Sequence, residues 1–288
     1  MKTTSFSCAI LVITAGFVSA APLTESTVSE VIKDVSVLRD STATPAKLND
    51  VVRAPDRVRT GPESRAELTA PDQTITRIGA NTVFSFESEG RVLNLESGSL
   101  LFHSPKGAGG GTIKTGGATA AVLGTTIIVV ATADGGFKLI VLEGKARATL
   151  PTGKTITLKA GQLVFVLPGG KGFSSVLTIN LGRLVGGSLL VNGFSHDVSS
   201  LSLIQAAIGK QRDDIAEGRA EDTGMSPDAF FGWEQTTYDG LNSIDHGSYQ
   251  TGVHPPVDPS RLFRSGQGNQ RGGFGGTGIV PVSGGLPN

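Results

Sequence analysis

The stretch FKLIVLEGKARATLPTGKTITL, residues 137–158, decides the fold. Phe137, Leu139 and Val141 fall on one face of an extended chain, as do Ala146, Ala148 and Leu150. Ile156 and Leu158 continue the alternation up to a turn at Ala160-Gly161. A period of two means β-strands with one buried and one wet face. Glu143-Gly144-Lys145 and Thr152-Gly153-Lys154 punctuate the runs as hairpin turns. Just upstream, Thr125 to Ala131 is a more continuous apolar run, without the alternation. Such a run predicts a central strand covered on both sides.

Working outward, the same rhythm fills residues 60–168. Short runs at 66–69, 75–78, 83–86, 92–95, 100–103, 112–115 and 118–123 precede the deciding stretch, and 163–167 follows it. Turn residues separate them, among them Pro71-Asp72, Gly79-Ala80-Asn81, Glu89-Gly90, Glu96-Ser97-Gly98 and Pro105-Lys106-Gly107. Turns every ten or so residues predict an all-β fold. A two-sheet sandwich and a short β-helical roll both fit. Residues 21–60 extend it: a first strand near 29–38, a polar turn at 40–45 and extended chain from 48 to 60.

Beyond the β zone, a short strand at 175–179 gives way to helical spacing. Leu181, Leu184, Val185, Leu189 and Leu190 mark a helix that Gly186-Gly187 weakens. Ser200 is placed as the cap of a second helix over 201–217, with Leu203, Ile204, Ala207, Ile208 and Ile215 on the packing face. From 221 to 288, Gly, Ser, Pro, Asn and Gln dominate, which predicts a flexible tail. Phe230, Phe231, Trp233 and Tyr238 interrupt it, as an aromatic group that either folds back onto the domain, the favoured reading, or serves as a docking motif.

The N-terminus has a different character. Lys2, an apolar stretch from Cys8 to Val18 and small residues at Val18-Ser19-Ala20 have the form of a secretory signal peptide. The expected organisation is a signal peptide over 1–20, a β domain over 21–170 with its core at 58–168, a helical segment over 171–220 and a tail over 221–288. The expected location is the periplasm, the cell envelope or the extracellular space. No later stretch is apolar for long enough to span a bilayer as a helix.

Composition excludes several function classes. Lys+Arg and Asp+Glu are 25 each, so the chain lacks the cationic excess that binding to nucleic-acid phosphates requires. Cys8, the single cysteine, falls in the signal peptide, so neither a disulfide framework nor a cysteine zinc site is expected. The histidines His103, His196, His246 and His254 lack the spacing of a helical metal pair. Ser195 and His196 adjoin in sequence, which does not orient a base on a nucleophile. Glu67, Glu87, Glu89, Glu96 and Glu143 lie on or beside strands without a spacing that sets two across a cleft. Thr152-Gly153-Lys154-Thr155 imitates the end of a phosphate loop but joins two strands. Gly273-x-Gly275-x-x-Gly278 lies in the tail, without the strand and helix that such a motif needs. Arg53, Arg57, Arg59 and Arg65 form a basic stretch expected to be a solvated strand face. No catalytic, cofactor-binding or metal-ligating residue is nominated, and the chain is expected not to be an enzyme.

Four segments carry a family resemblance: VRTGPESRAELTAPDQTITRIGANTVFSF (58–86), RVLNLESGSLLF (91–102), IKTGGATAAVLGTTIIVV (113–130) and KLIVLEGKARATLPTGKTITLKAGQLVFV (138–166). Their order resembles the FecR domain, the periplasmic sensor domain of iron-transport signalling regulators. The residues that carry it are Thr60, Gly61, Arg65, Leu68, Gly79, Asn81, Gly98, Gly124, Thr125, Glu143, Gly144 and Gly161, all placed as scaffold. The resemblance implies an envelope location and a role in protein recognition, with an envelope protein as partner. It departs from the regulators in placing a signal peptide before the domain, without an internal membrane helix. A cell-wall or polysaccharide binder, a cupin-like enzyme and a passive surface protein are the other readings. The glycan reading has little support, since Trp233, Tyr238 and Tyr249 all lie outside the β zone. The cupin reading lacks a histidine cluster.

Overall fold

The computed structural model describes residues 21–40, 42–169 and 171–219. The expected signal peptide, the tail, its aromatic group, His246 and His254 lie outside them. The chain forms strands β1 (Glu25–Ile32), β2 (Val35–Arg39), β3 (Thr42–Pro45), β4 (Val51–Arg53), β5 (Arg57–Thr60) and β6 (Arg65–Thr69). There follow β7 (Ile75–Ile78), β8 (Val83–Phe86), β9 (Val92–Ser104), β10 (Gly111–Lys114), β11 (Thr119–Val122) and β12 (Thr125–Ala131). The last strands are β13 (Phe137–Glu143), β14 (Lys145–Thr149), β15 (Thr155–Lys159), β16 (Gln162–Val166) and β17 (Leu177–Thr178). Helices α1 (Leu181–Gly187), α2 (Leu189–Asn192) and α3 (Leu201–Ala216) complete it.

The strands pair into two sheets that share β9. Sheet A runs β4–β1–β6–β7–β9–β12–β13–β16–β17, antiparallel throughout. Sheet B runs β3–β2–β5–β8–β9–β10–β11–β14–β15, with β9–β10 its parallel pair. The chain alternates between them, mostly in hairpins. Apolar side chains from both sheets meet in one cluster that includes Val37, Phe84, Leu95 and Ala148 from sheet B and Leu68, Phe102, Val129 and Leu139 from sheet A. The result is a sandwich, one of the two architectures the strand rhythm allows.

A third layer covers the outer face of sheet A. One cross-strand row reads Arg77, Leu101, Ile128, Ile140, Leu163 and Leu177. Its apolar members join Leu181, Leu184, Leu190, Val198 and Ile204 in a second buried cluster. This layer corrects the expectation of a wet outer face for β13. All seven residues of β13 are buried, Lys138 included, because the helical segment packs where water was expected. β12 is buried along its whole length between β9 and β13, as its apolar run predicts.

Other differences are local. The single strand expected at 29–38 is two strands in opposite sheets, split where Lys33 takes φ 61°. The turn expected over 40–45 is narrower, since β3 begins at Thr42. Glu96-Ser97-Gly98 is a bend inside β9, not a turn between strands. Val92–Ser97 pairs in sheet B and Gly98–Ser104 in sheet A, so Gly98, at φ 96°, carries the strand across. The helix expected from Leu181 breaks at Ser188, directly after Gly186-Gly187. Ser200 makes no side-chain cap for α3; its hydroxyl is hydrogen-bonded to Thr126 instead. Ile204 is buried as expected, but Leu203 is 45% exposed.

Helix α3 is fastened to the sandwich through Gln211. Its Oε1 accepts from the Leu181 N–H at 2.9 Å, and its Nε2 donates to the Ile179 carbonyl at 2.8 Å. The amide also lies against Gly161, where a Cβ would overlap it. Gln211→Ala is expected to cost about 1–3 kcal/mol, since it removes two hydrogen bonds and strands half-buried backbone groups. Hydrogen exchange should then quicken in α3 and at 179–181 before it does in β12.

Candidate functional site

The resemblance residues gather in two turn-and-bend knots. In the first, the Thr60 hydroxyl donates to the Gly79 carbonyl at 2.6 Å and accepts from the Thr82 N–H at 2.9 Å. The Gly61 carbonyl accepts from the Asn81 N–H at 3.1 Å, and Gly79 N–H donates to Ser99 O at 2.8 Å. The Thr82 hydroxyl accepts from the Ser99 N–H at 3.0 Å, beside Gly98. The second knot holds Gly124, Thr125, Glu143 and Gly144. The Thr125 hydroxyl donates to the Lys145 carbonyl at 3.0 Å, and a Cβ on Gly144 would stand 2.8 Å from that hydroxyl. Gly161 lies under Gln211, Leu68 is in the core, and the Arg65 Nε donates to the Gly193 carbonyl at 3.3 Å. These contacts fix backbone; of the twelve, Glu143 belongs to the second polar cluster below and Gly124 lines the cavity beside it.

Those clusters, which the sequence reading did not assemble, lie between sheet A and the third layer. The first centres on Glu67 and Arg77, directly opposite each other on β6 and β7. Both are buried, with Arg77 Nε 2.8 Å from Glu67 Oε2. Arg77 also donates to the carbonyls of Val191 at 2.7 Å, Leu190 at 3.3 Å and His196 at 2.7 Å. Its guanidinium stands 4.3 Å from the centre of the Phe194 ring. It thereby satisfies carbonyls at the C-terminal end of α2 and anchors the loop that follows. On its other oxygen, Glu67 Oε1 meets His196 Nε2 at 2.9 Å and accepts from the Ser29 hydroxyl at 2.7 Å.

Ser195, His196 and Glu67 resemble a nucleophile, a base and an orienting acid in residue type. The geometry gives them another use. The Ser195 hydroxyl is 2.8 Å from Glu30 Oε2 and 3.3 Å from His196 Nδ1, and its N–H also donates to Glu30. Glu67 is already engaged by Arg77. The contacts fasten the 193–197 loop to β1 and β6.

The second cluster is a row across adjacent strands: His103 on β9, Thr126 on β12 and Glu143 on β13. Thr126 Oγ1 lies 2.9 Å from His103 Nδ1, 3.0 Å from Glu143 Oε1 and 2.8 Å from Ser200 Oγ. These groups border a cavity of about 470 Å³ that Ile75, Ser104, Lys106 and Leu203 also line. Burial raises the Glu143 pKa; the Thr126 hydrogen bond and Lys106 offset part of that rise. Burial lowers the His103 pKa below its ordinary 6.5.

The two shifts act oppositely on stability. Between the lowered His103 pKa and 6.5 the unfolded chain binds more protons, so stability falls on acidification through that window. Glu143 is protonated more readily in the folded chain, so its contribution falls as pH rises from 4.5 through its raised value. His103→Gln is expected to flatten the loss of Tm on going from pH 7 to about 5.5. A thermal melt series checks this; an unchanged slope would show that His103 does not titrate in that window.

The basic stretch and the strand carboxylates are largely used up in surface pairs. Arg53 pairs with Glu25, Arg57 with Glu96 and Lys114 with Glu87. Thr152–Thr155 is a hairpin turn, with Gly153 at φ 85° and the Leu150 N–H donating to Lys154 O at 2.9 Å. Among the described residues, no three His, Cys, Asp or Glu side chains stand close enough together to hold a metal. Among them too, no helix is long and apolar enough to cross a membrane.

Comparison with known proteins agrees with the motif order. Residues 56–147 match the family model described as FecR protein, so the chain carries a FecR domain. The match ends inside β14, short of the 58–168 span over which the resemblance was read. No curated protein matches the chain. Two crystal structures described as "a putative anti-sigma factor from Parabacteroides distasonis ATCC 8503" are similar. One has 21% identity and a TM-score of 0.38, over 42% of this chain and 59% of that one. The other has 20% identity and a TM-score of 0.40, over 46% and 65%. The alignments thus span less than two thirds of either solved chain.

Proposed function

We propose that this chain is an exported, non-enzymatic envelope protein whose FecR domain recognises another protein in a signalling or scaffolding role. The match of residues 56–147 to the FecR family carries the reading. The leader-like residues 1–20 support export to the periplasm, the envelope or beyond. Use of Glu67, Arg77, Ser195 and His196 as fasteners is in keeping with a binding role rather than catalysis. No metal or cofactor is required by the proposal.

Sheet B offers two strand edges to a protein partner. β3 and β15 lie at opposite edges of sheet B, and each pairs with one neighbour among the described residues. Pro45 ends β3, and Lys154 and Lys159 flank or end β15; prolines and lysines discourage indiscriminate edge pairing. A partner that adds a strand at β15 would have to match those charges. In-cell crosslinking of the tagged full-length protein tests the reading. The expected result is a chain processed near Ala21 and one dominant crosslinked protein. Capture of cell-wall material alone, or of nothing above background, would overturn protein recognition and leave the glycan or passive-surface alternatives.

A further inference from the structure

We propose that the cavity between β9, β13 and the start of α3 binds a small zwitterion with an apolar body. Its ammonium group lies between His103 and Glu143, and its carboxylate lies at Lys106 and the start of α3. The site is separate from protein recognition and needs no protein partner to form. At about 470 Å³ the cavity falls within the roughly 300–1,000 Å³ typical of small-molecule sites.

The polar row fixes which atoms the cavity offers. An ionised Glu143 can only accept, so the Thr126 proton is spent on its Oε1. Thr126 then has only lone pairs left for His103 and Ser200, and both must donate to it. The His103 proton is thereby held on Nδ1, and Nε2 presents a lone pair. Burial, which lowers the His103 pKa, keeps the ring neutral at pH 7. His103 is 5% exposed, and its Nε2 has no hydrogen-bond partner among the described residues. A carboxylate has about four acceptor positions. Among the described residues, Thr126 alone hydrogen-bonds the Glu143 side chain. His103 and Glu143 approach the same hydroxyl, so the two acceptors converge. They call for hydrogen-bond donors, and the Glu143 charge selects a cationic one.

Other parts of the wall call for an anion and for apolar surface. Lys106 lines the cavity, is exposed, and meets no carboxylate at salt-bridge distance among the described residues. Ser200 and Leu203 bring the start of α3 to the cavity. Because the Ser200 hydroxyl is turned to Thr126, α3 has no side-chain cap. The Ser202 and Leu203 N–H groups make no hydrogen bond among the described residues. Uncapped N–H groups beside a lysine favour a carboxylate. Ile75 and the half-exposed Leu203 supply apolar wall. Acceptors for an ammonium, donors for a carboxylate and apolar wall in one cavity complement an aliphatic amino acid or a short apolar peptide.

Calorimetric titration of the full-length protein with L-leucine and with L-leucyl-L-leucine, each at up to about 10 mM, tests the proposal. Saturable binding of at least one is expected. Binding of the dipeptide alone would make the ligand a peptide, and binding of leucine a free amino acid. 4-Methylpentanoate lacks the ammonium group and 3-methylbutylamine lacks the carboxylate, so each should bind at least about tenfold more weakly than the zwitterion that binds. Lys106→Ala should weaken the zwitterion about tenfold, and Leu203→Arg should abolish binding by filling the cavity mouth. Both positions are exposed, so thermal melts of these variants should match wild type. Glu143→Gln should weaken the zwitterion but not 4-methylpentanoate, because it removes only the charge that selects the ammonium group. No binding of either zwitterion would overturn the proposal. So would binding that survives Lys106→Ala or Leu203→Arg undiminished, or half-analogues that bind as well as the zwitterion.

Discussion

Glu67→Ala is expected to destabilise the protein by about 3–5 kcal/mol, because it leaves a buried guanidinium without its carboxylate. Arg77 is buried on the outer face of sheet A and touches three carbonyls of the 190–196 segment. Loss of its counter-ion is therefore felt in the helical layer as well as in the sheet. Arg77→Met should cost a similar amount, since it strands Glu67 and frees the end of α2. Replacing both, with Glu67→Leu and Arg77→Met, should recover only part of the loss, because it removes the unpaired charge but still leaves the Leu190, Val191 and His196 carbonyls without their donor. Urea unfolding of the three variants checks this. If each single change cost under about 1 kcal/mol, the pair would behave as a surface salt bridge and not as the clamp of the third layer.

Gly98→Ala should produce the next largest effect. At φ 96° an L side chain is strained, and the added Cβ would stand 2.5 Å from the Thr82 Cα. That atom belongs to backbone held by bonds to Thr60 and Ser99, so it cannot step aside cheaply. Backbone strain and overpacking together are worth about 3 kcal/mol. The loss should appear in both sheets at once, because β9 belongs to both. A Tm within about 1 °C of wild type would show that the bend does not depend on glycine.

The strand pattern was legible because period-two alternation is a local property. Val83–Phe86 and Ile75–Ile78 are strands with the expected limits. What escaped depends on distant chain. Lys138 reads as a wet position on β13, yet it is buried by residues that arrive some forty positions later. The Glu67–Arg77 pair was within reach, since the hairpin register of β6 and β7 sets opposite charges face to face. Its burial was not, because the carbonyls that complete it are more than a hundred residues away. The His103–Thr126–Glu143 row likewise needs the order of three strands, which alternation does not supply. In β9, Gly98 reads as a turn residue, and only pairing on both sides distinguishes a turn from a strand that changes sheets.

The family match covers 56–147, but the sandwich is not closed at those limits. β1 pairs with β6, β13 pairs with β16, and the third layer comes from residues after 170. The folding unit is therefore the whole of the three-layer body, of which the matched segment is the centre. Hydrogen exchange of the full-length protein, followed peptide by peptide through a urea series, tests this most directly. The prediction is that β1, β12, β13 and the 177–204 segment lose protection together at one urea concentration. Protection of 56–147 that persists after β1 and 177–204 have exchanged would contradict it, and would make the matched segment a domain in its own right.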